Sequence, residues 1–380
     1  MRRAIPPGAC RTIWIICLRR PGLADRAHSF FRVTVALGLA LAFVVVVLGA
    51  FTRLSDAGLG CPDWPGCYGH IGGVPMTQAE LEQANASFPG RPVDMSKATT
   101  EMVHRYFAGG LGLLILTLVI TAFAFRQRAQ LPFKTTLALL ALVIFQALLG
   151  MWTVTLQLKP VIVMAHLLGG FATLSLLWWL FLGGSTWAAT RPRSSRYRVA
   201  GLLGIGILVG QIALGGWTSA NYAALACVDF PTCQSRWWPP MDFSEAFVLW
   251  RGTGLDYEFG GLDNPARTAI HVTHRIGALV TTIYLLAFGS TLFVRARGGA
   301  LRIASAAVIT LILLQVSLGI SNVVLGLPLG VAAAHNAVAA LLLLAMLSLT
   351  YLLRPATETV TRVAFRKPST RAAEGDHVLT

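Results

Sequence analysis

Long apolar runs alternate along this chain with shorter polar or charged connections. Eight runs are long enough to cross a hydrocarbon layer of about 30 Å, which takes about 20 residues of helix. They fall near 33–51, 102–125, 135–156, 161–183, 199–219, 269–293, 303–325 and 331–353. Their centres are uninterrupted, unlike the Gly/Pro-broken helices of many repeat-built transporters. A further apolar stretch, Thr12–Leu18, is too short to span.

Composition narrows the class. Of the 380 residues 55% are hydrophobic and only 12% charged, with a mean hydropathy of +0.65. Soluble chains carry about 25% charged residues, so two or three soluble domains are excluded in favour of a polytopic membrane protein. Six cysteines are too few for a secreted disulfide scaffold. The net charge of +15 suggests no nucleic-acid partner, because its distribution follows the membrane. The N-terminal arm, the loops at Arg126–Lys134, Arg191–Arg198 and Arg295–Arg302, and the tail together hold 22 of the 31 Lys and Arg. Seven lie on the opposite side, and Arg105 and Arg275 lie inside runs. Basic loops stay in the cytoplasm, so both termini are expected inside. The Arg-rich arm, whose first acid is Asp25, could also be an organelle transit peptide; an ordinary basic flank is favoured.

The chain reads as a duplication. Residues 47–67 (VLGAFTRLSDAGLGCPDWPGC) and 213–233 (ALGGWTSANYAALACVDFPTC) align without a gap, with nine of 21 positions identical. His104-Arg105 recurs as His274-Arg275, and Ala165-His166 as Ala334-His335. The expected architecture is an all-α membrane protein of eight transmembrane helices in two pseudo-symmetric four-helix bundles. The halves would occupy 33–183 and 199–353, joined by a cytoplasmic linker at 184–198 and flanked by an N-terminal arm, 1–32, and a tail, 354–380. A Leu-Gly pair recurs at Gly49, Gly150, Gly215 and Gly319, followed three residues later by Thr52, Thr153, Thr218 or Asn322. Gln146, Gln211 and Gln315 precede three of these glycines by four residues. Small residues let helices, or a flat ligand, come close; helix packing alone explains them equally well.

Four histidines, His104, His166, His274 and His335, lie in even-numbered runs near the outer end. Ionisable side chains inside a membrane are costly and are functional candidates. One would read as a satisfied core residue, but four at matched depth, paired twice, point to bis-imidazole ligation of haem between helices of a bundle. Arg105 and Arg275 are candidates for binding propionates, with snorkelling to the headgroups equally consistent. Zinc is disfavoured, since no acid or Cys recurs in the runs to complete a tetrahedral set. A proton relay through the histidines is a minor alternative. Three residues before His104 stands Glu101, where the second half has His271. An i, i+3 pair shares a helix face, so Glu101 should flank what His104 binds, unless it is a solvated acid at the helix mouth. The contrast suggests one reactive haem site and one that carries electrons. His28, His70 and His377 read as solvated.

Cys61/Cys67 and Cys227/Cys233 form two C-x5-C pairs in outer loops, where disulfides persist; Cys10 and Cys17 would be free thiols. Each outer pair could be a structural clip over a haem pocket or a redox couple. The Trp-rich segment Arg236-Trp237-Trp238-Pro239-Pro240 is expected, at most, to cap the C-terminal pocket.

These residues together resemble the haem A synthase family. The likeness covers about 33–353 and rests on Arg53-Leu54 followed by GLGCPDWPGC, on EMVHR at Glu101–Arg105, MAHLLGG around His166, HVTHR around His274 and AAAHNA around His335. It implies oxidation of the C8 methyl of haem O to a formyl group, giving haem A for terminal oxidases. By the same resemblance His274 and His335 would ligate a resident haem B, and His104 and His166 would flank the haem O substrate. Glu101 would accept a proton or stabilise positive charge at the methyl carbon. Cys61–Cys67 would be a redox-active disulfide acting in catalysis and Cys227–Cys233 a second disulfide. The cysteines match the branch that implies a bacterial inner-membrane protein, with haem sites and cysteine loops on the periplasmic side. The implied partners are a haem O synthase and cytochrome oxidase assembly; a homo-oligomer is left open. Two rivals remain. A non-catalytic di-haem cytochrome b, passing electrons between quinone and an outer carrier, would need neither Glu101 nor the cysteines. A thiol–disulfide oxidoreductase would leave the histidines unexplained.

Overall fold

A computed structural model describes residues 22–127, 129–184, 195–252, 254–296 and 298–354. Cys10, Cys17, His377, most of the N-terminal arm, the tail beyond Arg354 and Arg191 and Arg193 of the linker lie outside the described residues. All regular structure among the described residues is helical, with two isolated bridges. The long helices are α1 (Leu23–Leu54), α3 (Met95–Ala124), α4 (Phe133–Thr155), α5 (Pro160–Gly183), α6 (Ser195–Ala220), α8 (Asn264–Arg295), α9 (Gly299–Val324) and α10 (Leu329–Leu352). All eight are long and apolar enough to cross a membrane. They outrun the apolar runs because a helix needs no apolar side chains beyond the hydrocarbon. α1 starts ten residues before its run, with the Asp25 carboxylate accepting from Gly22 N–H. α3 begins at Asp94, whose carboxylate accepts from the amides of Ser96 and Lys97 and so satisfies free helix-end donors.

Two short helices sit in the outer loops. α2 (Gln78–Ser87) opens with a capping box in which Thr77 accepts from the Glu80 amide and Glu80 accepts from the Thr77 amide. α7 (Phe243–Ala246) is capped by Asp242.

Neighbour relations repeat along the chain. α1 packs on α3 and α5, and α4 on α3 and α5; α6 packs on α8 and α10, and α9 on α8 and α10. Across the halves α1 meets α10, α5 meets α6, and α5 meets α10. α10 is accordingly the most buried span, with 44% of its apolar window inside the protein against 17–28% for the others. One continuous core joins the halves, including Ile115, Leu118, Leu139, Leu174, Leu177, Leu285, Leu342 and Met346. Polar ties across it are few: Trp178 Nε1 donates to Ser348 Oγ at 2.8 Å, and Asn336 to Val46 O at 3.4 Å.

At the outer end the halves are held by polar contacts from the second long loop. The Arg91 guanidinium pairs with Asp256 at 2.8 Å and Glu258 at 2.9 Å. Tyr257 N–H donates to Gln157 O at 3.1 Å. Lys159, only 2% exposed, donates to Gly252 O and lies 3.3 Å from the Trp250 ring centre. Arg53 donates to Ser219 O at 2.6 Å and stacks 4.0 Å from the Tyr222 ring centre. Gly260 adopts a φ of +87° where an added Cβ would press on Tyr222 and Asn221 O at 3.3 Å, so the strap needs glycine there. Trp237 and Trp238 are 78% and 69% exposed, and the later stretches 250–252 and 254–260 reach onto the first half.

Partly exposed ion pairs contribute about 1 kcal/mol or less each. Arg91→Ala should therefore raise amide exchange of residues 255–261 several-fold while leaving global stability within about 1 kcal/mol. Unchanged exchange would show that Tyr257 and Lys159 hold the strap without Arg91.

Candidate functional site

The four histidines enter from the outer ends of α3, α5, α8 and α10, at helix positions that lie about 9–15 Å from the first turn at 1.5 Å per residue. All four are half-buried. In the first half the rings of His104 and His166 face each other with centroids 6.5 Å apart and planes at 89°. That is too far for a direct hydrogen bond, and wide enough for one metal-sized atom with nitrogen bonds of about 2 Å on each side. In the second half His274 and His335 hold the corresponding positions on α8 and α10. No cluster of three or more His, Cys, Asp or Glu able to hold a metal occurs among the described residues.

The recurrent Leu-Gly pairs have a direct explanation. Each glycine lies against the ring of one histidine on a neighbouring helix. An added Cβ would stand 2.9 Å from His104 Cε1 at Gly49, 3.5 Å from His166 at Gly150, 3.2 Å from His274 at Gly215 and 3.1 Å from His335 at Gly319. Thr52, Thr153 and Thr218 return their hydroxyls to carbonyls of their own helices, so they present methyl groups rather than donors. The glutamines differ between halves. Gln211 Nε2 lies 3.0 Å from His274 Nδ1, and Gln315 Nε2 lies 3.1 Å from His335 Nε2. Gln146 instead abuts Gly169, and Val45 stands at the corresponding place in α1. Nδ1 of His104, His166 and His335 is buried without a hydrogen-bond partner. Buried polar atoms ordinarily find one, so these half-buried rings fit a ligand that uses imidazole.

Two disulfides close the loops above the rings. The sulfurs of Cys61 and Cys67 are 2.06 Å apart and those of Cys227 and Cys233 2.00 Å apart. Cys61, Cys67 and Cys227 are fully buried and Cys233 nearly so. The loops are built alike. Asp63 accepts from the amides of Tyr68 and Gly69, and Asp229 from those of Gln234 and Ser235. The Thr232 hydroxyl, aided by those amides, holds the Asp229 carboxyl below the usual carboxylate range.

Glu101 and His271 occupy equivalent places, both buried. Glu101 Oε2 accepts from Cys61 N–H at 2.9 Å, and His271 Nδ1 faces Cys227 N–H at 3.3 Å. Each ties the first cysteine of its loop to the helix that carries a histidine one turn on. The other Glu101 oxygen pairs with Arg105 at 2.6 Å. Arg105 also donates to the carbonyls of Asp63 and Gly66, and Arg275 to those of Thr232 and Asp229. Both arginines thus clamp the disulfide loops, a use that neither propionate binding nor snorkelling anticipates. The only signal for it in the sequence was the duplicated His-Arg pair itself. His28 is exposed and His70 half-buried in the loop.

The profile of a family described as COX15-CtaA, cytochrome oxidase assembly protein, matches residues 32–347. The chain belongs to this family. That match encloses both histidine pairs and both disulfide loops. A heme A synthase of Shewanella oneidensis is 47% identical over 333 residues, which is 86% of this chain and 97% of the relative. Heme A synthases of Rhizorhabdus wittichii and Paracoccus denitrificans are 27% identical over 349 residues and 29% identical over 350. These alignments cover 87% and 83% of this chain, and 96% and 86% of the relatives.

The glycine contacts make a graded prediction. Gly49→Ala should push the His104 ring aside and cost about 1–3 kcal/mol, as overpacking does. Gly150→Ala, whose Cβ would meet His166 at ordinary contact distance, should be tolerated far better. Equal melting temperatures for the two variants would refute the tight contact at Gly49.

Proposed function

We propose that this chain is a haem A synthase of a bacterial inner membrane, oxidising the C8 methyl of haem O to a formyl group. The observation that carries this reading is the 47% identity to a heme A synthase over 86% of the chain. The basic loops support a cytoplasmic position for both termini, with cysteine loops and histidines toward the periplasm. Haem O synthase as the supplier and terminal oxidase assembly as the destination follow from the same likeness.

In this reading His104 and His166 bind the substrate haem, and His274 and His335 hold a resident haem B. The orphaned ring nitrogens and the glycine cradles support both assignments. Gln211 and Gln315 stand beside the second pair with their Oε1 atoms buried and unpartnered; with the amide turned so that Oε1 accepts the ring N–H, each would orient a ligating histidine, which strengthens metal retention. When bound, haem B supplies one-electron transfer. Turning a methyl into a formyl group removes four electrons, so a carrier near the substrate is required. Glu101 supplies negative charge beside the reacting carbon, and Arg105 and Cys61 N–H hold its carboxylate in place. Arg105 and Arg275 fix the loops and would meet haem propionates only with donors that those contacts leave over. The Cys61–Cys67 disulfide is joined to Glu101 through the Cys61 amide. With both sulfurs buried, it is shielded from bulk thiols.

One observation favours a second reading, a non-catalytic di-haem cytochrome. Glu101 has the same loop-holding contact as His271, which gives the carboxylate a structural duty. Glu101→Gln with its melting temperature measured alongside separates the two, since the amide oxygen still accepts from Cys61 while the charge and the Arg105 pair are lost. We expect haem retained and haem A formation reduced on the order of a hundredfold or more, the scale of losing an electrostatic stabiliser. Full conversion by this variant would reduce Glu101 to a loop anchor. His274→Ala or His335→Ala should each abolish the low-spin haem B spectrum; a normal spectrum would contradict the resident-site assignment.

A further inference from the structure

Far from the histidines, at the end of the bundle where the basic loops gather, a cleft of about 490 Å³ opens between α4, α5 and α10. Its lining includes Ser175, Leu176 and Leu347 and, nearer the basic-loop end, Trp179 and the first-turn residues Lys134 and Thr135 of α4. Lys134 is exposed in the first turn of α4, and no acidic side chain pairs with it among the described residues. The Ser175 hydroxyl donates to Phe171 O, so its oxygen is left as an acceptor only.

Two further cations stand at the same end. Arg354 stacks 3.7 Å from the Trp179 ring centre. Arg126 lies over Phe123, whose ring meets that of Phe133 beside Lys134. An apolar slot with a cationic, hydroxyl-bearing mouth matches an amphiphile with a negative head, and basic pockets between transmembrane helices take acidic lipid headgroups. Interfacial Trp favours the same depth.

We propose that this cleft is a binding site for one anionic phospholipid, with its phosphate at Lys134 and Thr135 and an acyl chain along Leu176 and Leu347. Because α10 belongs to the second half and α4 and α5 to the first, the lipid would fill the seam between them. The inference is independent of the haem chemistry.

The test is native mass spectrometry of the full-length protein titrated with dioleoyl phosphatidylglycerol, dioleoyl phosphatidylcholine or inorganic phosphate. The wild type should bind one phosphatidylglycerol about fivefold or more tighter than phosphatidylcholine, the scale expected per basic residue near a membrane surface. Lys134→Gln should lose about fivefold of that affinity while leaving phosphatidylcholine binding unchanged. Ala138→Trp, at an exposed lining position, should block the slot to both lipids without loss of helicity. Equal affinity for the two lipids, or no effect of Lys134→Gln, would overturn the proposal. So would complete displacement of phosphatidylglycerol by millimolar phosphate, which would point to a free anion.

Discussion

The site depends on how closely helix backbones approach four imidazole rings. A histidine between membrane helices is tolerable only where packing and partners compensate for its polarity. Gly49, Gly150, Gly215 and Gly319 remove the side chain that would otherwise hold the neighbouring helix away from the ring. The ring is then held against backbone at its Cε1 edge. Any larger residue at three of these places would force the ring or the helix to shift. The helix pairs α1–α3, α4–α5, α6–α8 and α9–α10 are thereby set by the same contacts that set the histidines.

A second constraint acts from above. Each disulfide loop is fastened to the helix below it by an acceptor one turn before the histidine and by an arginine immediately after it. Glu101 and Arg105 do this in the first half, His271 and Arg275 in the second. Loop position and ring position are therefore mechanically linked. The strap through Asp256 and Glu258 then ties the second loop to Arg91 of the first half. The halves share an apolar core within the membrane-length region and a polar seam outside it. At the fastening point below the loops a carboxylate stands in one half and an imidazole in the other, which is a difference a reactive site and an electron-carrying site would show.

Much of this was legible in the sequence, for physical reasons. Eight spans stood out because a run of about 20 apolar residues has few other uses. The duplication exposed the equivalence of the histidine pairs and of the cysteine loops. Helix ends were less legible, since α1 and α8 continue into polar residues that hydropathy does not mark. α2 was readable in principle from Thr77 and Glu80, but a single capping box carries little weight alone. The duties of Glu101, Arg105 and Arg275 were hidden because their acceptors are backbone groups, which leave no mark in residue identity. The Arg91 pairs join positions more than 160 residues apart and could not be inferred from local pattern.

The central claim is that the first histidine pair presents haem O for oxidation while the second holds haem B. The most direct measurement is chromatography of haems extracted from the purified protein after expression with and without a haem O synthase. Haem A, or its hydroxymethyl precursor, should appear only when haem O is supplied, alongside haem B in both samples. Haem B alone in both, with haem O demonstrably present in the membrane, would contradict the account and leave an electron-transfer cytochrome.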